Sequence, residues 1–349
     1  MAHRALLRRG SVLLCVAAVL AVVGLVAGRA GAKTTLTVYT AVEADDLKKY
    51  AARFNEDNPD IEIKWVRDST GVITAKLLAE KANPQADVIW GLAATSLLVL
   101  KPEGLLLPYA PKGLDRLDAQ FRDKDNPPAW VGMDAWVAAI CFNTVEAQKK
   151  NLPKPTSWKD LTKPVYKGAI VMPNPASSGT GFLDVTSWLQ LFGEAEGWKY
   201  MDALHQNIGV YTHSGSKPCT MAGAGEYPIG ISFEFRAARQ KRQGAPIDII
   251  LPSEGSGWDM EATAIVKGTK NLDAAKTLVD WSVTDKAMKL YNEGYAVVAI
   301  SKMSQPIEFL PANMLDHMIK NDFQWAALNR AKILAEWEKR YGAKSEPKK

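Results

Sequence analysis

The sequence predicts an α/β protein of two lobes with a cleft between them. Three observations lead there. Strand-like and helix-like runs alternate from Leu36 to Trp90, the pattern of a parallel sheet with helices on both faces. A Pro- and Gly-rich zone (Pro102, Gly104, Pro108, Pro111, Gly113) then runs to Pro127-Pro128, and a second α/β pattern begins at Trp136. No low-complexity linker and no internal repeat lies between the two. Lobes joined without a flexible tether are commonly linked by strands that cross more than once, which leaves a deep cleft that hinge closure can shut.

The first 32 residues stand apart from both lobes. Arg4, Arg8 and Arg9 precede an uncharged, mostly apolar run from Ser11 to Gly28, and Ala30-Gly31-Ala32 supplies the small residues that signal peptidase needs. That order predicts a secretory signal peptide over residues 1–32, cleaved after Ala32, and hence an exported, periplasmic protein. The apolar run also has the length of an uncleaved anchor, about 17–25 residues. Cys15 follows Leu14 rather than the small residue that a lipoprotein signal requires.

Lobe 1 takes residues 33–133 as its first part. It opens with a β-rich run over 36–40, and Leu47, Tyr50, Ala51 and Phe54 then recur at helical spacing. Ile61, Ile63 and Trp65 alternate as a strand does, Ser69-Thr70-Gly71 leads into a helix holding Ile73 and Leu77, and residues 87–90 form a third strand. Lobe 2, residues 134–256, has strands at 169–172, 209–211, 229–233 and 247–251, with helices at 181–192, 198–205 and 217–224. Residues 257–349 return to lobe 1 through a strand at 262–266 and a helix carrying Ala274, Leu278 and Trp281. Further helices follow, and the charged tail from Lys344 is expected to fray.

Charge excludes one class of partner. The net charge is +5, but residues 1–32 carry four arginines and no acid, so the mature chain is nearly neutral, with mixed charges and no basic stripe. Nucleic-acid binding is therefore not expected. Cys141 and Cys219 remain in a compartment that permits a disulfide. The sequence does not fix whether they meet, and two buried thiols is the preferred reading. Neither they nor His205, His213 and His317 show metal-ligand spacing, so no metal or cofactor is expected.

In open α/β sheets a ligand binds outside the carboxyl ends of the strands. The first strand ends at Tyr39-Thr40, the second is followed by Ser69-Thr70-Gly71, and the third by Gly91 with Thr95-Ser96 close by. In lobe 2 the strand over 169–172 runs into Ser177-Ser178-Gly179-Thr180-Gly181, and Tyr211 is followed by Ser214-Gly215-Ser216-Lys217. Any one such cluster reads as ordinary helix capping. Several at successive strand ends, in both lobes, predict an anion site, because free N–H groups and the positive end of the helix dipole favour negative charge. The candidates are Tyr39, Thr40, Ser69, Thr70, Ser177, Ser178, Gly179, Thr180, Gly181 and Ser216, with 177–181 the strongest. A ligand that also carries a cation would need a carboxylate, for which Glu234 and Asp259, with Glu261 nearby, are placed. Glu234 has an alternative in a salt bridge to Arg236 or Arg239. Tyr39, Trp90 and Trp258 are candidates to box an ammonium, with core packing as the commoner fate of aromatics.

Enzyme signatures are incomplete. Ser214-x-x-Lys217 matches the S-x-x-K of penicillin-binding enzymes, yet S-D-N and K-T-G are missing. No G-x-S-x-G elbow and no P-loop occurs. The expectation is a binding protein and not an enzyme, with a secreted serine hydrolase using Ser214 and Lys217 as the remote alternative.

Longer motifs carry a family resemblance. Pro155-Thr156-Ser157-Trp158-Lys159-Asp160-Leu161, Tyr166-Lys167-Gly168 and the run from Pro173 to Gly181 resemble the extracellular solute-binding proteins for ferric iron, phosphonates and polyamines. Gly225-Glu226 and Ala264-Ile265-Val266-Lys267-Gly268, with Asn271 and Ala274-Ala275, match the same group, so the likeness spans the mature chain. Within it the chain is most similar to binding proteins of 2-aminoethylphosphonate importers. The resemblance implies a type II periplasmic-binding fold, a monomer that hands its ligand to an inner-membrane ABC permease, and a phosphonate held by Ser69, Thr70 and 177–181. Ferric members use an adjacent tyrosine pair, where this chain reads Ser232-Phe233-Glu234-Phe235. Ferric iron, phosphate or sulfate, and a polyamine remain the alternative ligands. The export reading has a direct check: the N-terminal sequence of the secreted protein should begin at Lys33, and a membrane-bound product that retains Arg4 would overturn it.

Overall fold

The computed structural model describes residues 33–347, and the signal-peptide reading with its cleavage point lies outside the described residues. Among them no helix is long and apolar enough to cross a membrane. In lobe 1, β1 (Thr34–Thr40), β2 (Ile61–Arg67) and β3 (Val88–Ala93) run parallel in the order β2-β1-β3. They are connected by α1 (Ala44–Asp57) and α2 (Thr70–Ala79), and α3 (Ala94–Leu100) follows β3. The two-residue β4 (Leu106–Leu107) comes next.

Lobe 2 has its own parallel set, β8-β6-β7, from β6 (Ile170–Pro173), β7 (Ile208–Thr212) and β8 (Ile229–Phe233). Its helices are α4 (Thr144–Lys149), α5 (Gly179–Phe192), α6 (Glu194–Asn207), α7 (Lys217–Gly223) and α8 (Glu234–Arg242).

The expectation of purely parallel sheets needs one amendment. Two antiparallel strands unite the parallel sets: β5 (Val131–Asn143) and β10 (Trp258–Val266). From Val131 to Val137, β5 pairs with β10, which continues to β3. From Ala138 to Phe142 it pairs with β8, and its far end also takes β9 (Ile247–Ile250). One strand thus belongs to both lobes, and all of its residues are buried.

The C-terminal part holds α9 (Leu272–Ser282), α10 (Asp285–Tyr291), β11 (Val297–Val298), α11 (Met314–His317) and α12 (Phe323–Tyr341). α12 packs on α3 of lobe 1 and buries Ile333, Trp337 and Tyr341 in the lobe-2 core. The tail was expected to fray, but its described part is held against lobe 2. Ser345 bridges Tyr211 beside β7, and the Glu346 N–H donates to the Tyr211 carbonyl at 2.9 Å.

Each lobe has an aromatic centre. Trp90 sits among Tyr50, Phe54, Trp65 and Trp281 and donates its Nε1–H to the Tyr291 hydroxyl at 3.1 Å. Such pairs add about 0.5–1.5 kcal/mol each beyond area burial. Trp258 packs on Phe323 and donates to the Ile319 carbonyl, while the Tyr39 hydroxyl donates to Glu80. Of the two readings for Tyr39, Trp90 and Trp258, the structure shows the commoner one: each is engaged in packing or structural hydrogen bonds.

The cysteines also correct an expectation. Cys141 of β5 and Cys219 of α7 are joined in a disulfide with Cα atoms 5.4 Å apart, where two separate thiols were preferred. The bond closes a loop with a sequence separation of 78, worth about 4 kcal/mol on the chain-entropy model. Cys219→Ala should lower the unfolding free energy by roughly 2–5 kcal/mol in urea titrations, and reductant should lower the native protein's stability but not the variant's. Equal stability of the two proteins under oxidising conditions would show that the crosslink contributes nothing.

A candidate anion cavity between the lobes

The lobes meet across the cleft. Arg239 of α8 pairs with Asp46 of α1 at 2.7 Å, and Arg236 pairs with Glu43 at the start of α1. These arginines thus answer lobe 1, which leaves Glu234 without the salt bridge that was its alternative. The Gly71 N–H donates to the Ser177 carbonyl at 2.8 Å, joining the N-terminus of α2 to the loop before α5. Both approaches need glycine. A Cβ on Gly71 would lie 2.1 Å from the Ala176 carbonyl oxygen, and one on Gly179 would lie 2.6 Å from Thr70 Oγ1.

Between these contacts lies a cavity of about 480 Å³, including its solvent-open mouth. Arg67 enters from the carboxyl end of β2, its Nε anchored on the Val42 carbonyl at 3.1 Å. Ser69 occupies the cap position of α2, but its hydroxyl makes no capping bond. The N–H of Thr70, in the first turn, has no intrahelical acceptor. From lobe 2, Ser178, Gly179 and Thr180 present the N-terminus of α5, where Ser178 Oγ accepts the Gly181 N–H at 3.2 Å. The Gly179 and Thr180 N–H groups precede the first intrahelical bond. Ser214 and Gly215 close this side, packed so tightly on α5 that a Cβ on Gly215 would meet Thr180 Oγ1 at 2.5 Å. Two helix N-termini and a guanidinium therefore face one space from opposite lobes, which suits an anion.

Of the residues expected from the sequence, Ser69, Thr70, Ser178, Gly179 and Thr180 line this cavity. The others lie outside the lining. Tyr39 turns its hydroxyl to Glu80, and Thr40 sits behind Gly91, its Oγ1 accepting the Val42 N–H at 3.0 Å. Ser177 Oγ lies 3.2 Å from His213 Nδ1, and the Cβ position of Gly181 is blocked by the Pro173 carbonyl oxygen at 2.6 Å. Ser216 Oγ faces Ser214 Oγ at 3.1 Å. Asp259 accepts from Thr95 Oγ1 at 2.6 Å, and Glu234 Oε2 accepts the Val137 N–H at 2.7 Å. These carboxylates are spent on structure.

Sequence reasoning passed over Arg67, Glu43, Trp136, Phe233 and Phe235, all of which line the cavity. Arg67 ends its strand two residues before Ser69, so the strand-end rule that selected Ser69 would have selected it too. Glu261, noted only as a neighbour of Asp259, is the β10 carboxyl that reaches the cavity.

The acids beneath the cavity are unusual. Burial pushes the carboxyl pKa of Glu234 and of Glu261 up to about 8, and that of Asp259 to about 6. Asp134, opposite Glu261 in the β5–β10 pairing, is raised by burial and by the charges of Glu261 and Glu234. Burial thus holds Glu234 and Glu261 toward their neutral forms near pH 7. Glu43 is shared by two guanidiniums, paired with Arg236 and 4.0 Å from Arg67 Nη2, so the Arg67 charge is only partly offset.

The hydrolase alternative finds its proposed base engaged elsewhere: the Lys217 ammonium is ion-paired with Glu346. Among the described residues no cluster of three His, Cys, Asp or Glu is placed to hold a metal ion.

Comparison with known proteins places the chain among binding proteins. The family model for bacterial extracellular solute-binding proteins matches residues 83–326. An uncharacterized protein of Haemophilus influenzae is 31% identical over 319 residues, covering 89% of this chain and 91% of the relative. A probable ABC transporter periplasmic-binding protein of Sinorhizobium fredii is 30% identical over 247 residues, covering 68% and 67%. Among solved structures, the periplasmic binding protein AfuA of Actinobacillus pleuropneumoniae, with fructose-6-phosphate bound, has 28% identity. Its TM-score is 0.83, with 89% of this chain and 99% of that chain covered. Iron-bound HitA of Pseudomonas aeruginosa, at 21% identity and a TM-score of 0.73 over 87% and 99%, shares the fold.

The buried acids set a pH dependence. An acid whose folded pKa lies above its unfolded value binds more protons folded than unfolded between the two, so stability falls as pH rises through that window. For Glu234 the window runs from 4.5 to about 8, at up to about 1.4 kcal/mol per pH unit. Glu234→Gln should flatten the decline in unfolding free energy between pH 5 and pH 8 by about one such group. A variant with the native slope would show that Glu234 ionises normally in the folded protein.

Proposed function

The chain belongs to the bacterial extracellular solute-binding proteins, and we propose that it captures a small organic phosphonate or phosphate for an ABC importer, with 2-aminoethylphosphonate as the candidate ligand. One observation carries the reading: Arg67 and the N-termini of α2 and α5 converge from opposite lobes on one cavity. A tetrahedral anion has oxygens enough to accept from both helix ends at once, and contacts made only when the lobes meet are the ones that draw them together. On this reading Ser69, Thr70, Ser178, Gly179 and Thr180 hold the phosphoryl group and Glu261 faces the rest of the ligand. The protein is exported by cleavage after Ala32, acts as a monomer, and delivers its ligand to an inner-membrane permease without making or breaking a bond.

A second reading, a sugar phosphate, has its own support. A protonated Glu261 both donates and accepts, as a hydroxyl partner should, and the buried Trp136 Nε1–H on the cavity wall has no partner. AfuA, the neighbour at 28% identity, carries fructose-6-phosphate.

Calorimetric titration of residues 33 onward separates the two. Tight one-to-one binding of 2-aminoethylphosphonate, with fructose 6-phosphate silent, supports the first, and the reverse selects the second. Heat from neither ligand, nor from inorganic phosphate, removes the anion reading. Arg67→Ala should weaken the bound ligand about 10- to 100-fold, the loss of a charge-assisted hydrogen bond. Gly71→Ala should weaken it as well, with each lobe still folded, because the added methyl meets Ala176 only across the cleft; native affinity in that variant would show that the lobes need not meet there.

A further inference from the structure

The described part of the C-terminal tail is held by polar contacts. After α12 the chain turns through 342–344 and lays Ser345 and Glu346 against β7 and the loops at its end. Asn174 Nδ2 donates to Ser345 Oγ at 2.9 Å, while Asn174 Oδ1 accepts the Ala176 N–H at 2.7 Å and its carbonyl accepts the Ser178 N–H at 2.9 Å. Asn174 therefore ties the tail to the loop that leads into α5. Glu346 Oε1 accepts the His213 N–H at 2.7 Å, and Oε2 takes the Lys217 ammonium. His213 and Lys217 bracket the segment that puts Ser214 and Gly215 into the cavity. The tail touches both cavity-lining loops of lobe 2 from behind and does not itself line the cavity.

We propose that Ser345 and Glu346 form a positioning strap that fixes the two lobe-2 loops in ligand-binding geometry. The physical need is evident in the loops themselves. Residues 213–216 form no regular element, and Gly215 packs so close to Thr180 that a Cβ there would lie 2.5 Å from its Oγ1. A charge-assisted contact at each end of that segment holds Gly215 there. Lys344 anchors the strap, its ammonium donating to the His205 and Ile208 carbonyls at 2.6 and 2.8 Å. That strap residues affect affinity rests on the proposed phosphoryl site; that they order the loops does not.

The test uses the mature chain, a Ser345→Ala/Glu346→Ala variant and a Glu346→Gln variant. Amide hydrogen exchange without ligand reads loop order, and titration with the ligand that the wild type binds reads affinity. In the double variant, exchange should quicken about tenfold over 174–181 and 213–217 alone, and affinity should fall by about tenfold, or 1.4 kcal/mol. Glu346→Gln, which keeps an acceptor for the His213 N–H but loses the ion pair, should fall between. Unchanged exchange in the two loops overturns the strap, as does quickened exchange spread over all of lobe 2, which would mark general destabilisation. Ordered loops lost without any measurable wild-type binding would overturn the phosphoryl reading and keep the strap.

Discussion

The structure depends on a single strand being shared by two sheets. Because β5 pairs with β10 up to Val137 and with β8 from Ala138, neither lobe can complete its sheet without the other's strand. The shared strand also sets the geometry of the cleft. Parallel strands on either side of it point their carboxyl ends at the same gap, which is where α2 and α5 begin and where Arg67 emerges. The switch between partners is itself covered: the Ala138 N–H reaches the Gly257 carbonyl, and the Val137 N–H is taken by Glu234 of lobe 2. A buried backbone donor left unpaired there would cost about 1–3 kcal/mol. Glu234 is therefore at the crossing to satisfy the strand, and the price is its own burial.

That burial shapes the site's charge. A carboxyl with no counter-ion in a low-dielectric interior keeps its proton, and the cluster of Asp134, Glu234 and Glu261 has none among the described residues. Five acids lie in or just under the cavity if Asp259 and Glu43 are included, a composition that would suggest a cation site. Ionisation weakens that inference. Glu43 is shared by Arg236 and Arg67, burial raises the carboxyls of Glu234 and Glu261 to about 8 and lifts Asp134 as well, and Arg67 and two helix N-termini face the cavity.

The parallel sets were legible because their strands alternate with amphipathic helices, and the strands at 229–233 and 169–172 were placed to within a residue or so of their observed bounds. β5 was half hidden. It is buried on both faces, so it shows no alternation, and Gly132 and Asp134 break its apolar run before Trp136. The cavity lining was legible in Ser69, Thr70 and 178–180 because helix starts at strand ends obey a local rule. Arg67 obeys the same rule but lacks the hydroxyl or glycine by which helix starts announce themselves. Asp259 and Glu234 misled in the opposite sense, since a carboxylate beside a strand end looks the same in sequence whether it faces a ligand or a backbone amide. The tail shows the limit most plainly: lysines and a proline at a terminus read as fraying, and only the fold reveals that Glu346 meets Lys217.

Two kinds of contact cross the cleft, and they answer different needs. The ion pairs of Arg236 with Glu43 and Arg239 with Asp46 are largely buried, their side chains only 9–19% exposed, and need no ligand; the desolvation cost of pairs so buried offsets much of their attraction. The approach of α2 to α5 is different. It sets two positive helix ends against one another, with Gly71 and Gly179 allowing nearly direct contact, and such ends repel until a negative group lies between them. The ion pairs therefore bring the lobes close at little gain, while the helix ends hold back the balance that an anion restores. On the proposed reading, a ligand without negative charge would meet the same cavity and supply nothing that the two helix ends lack, so closure itself would favour the anion.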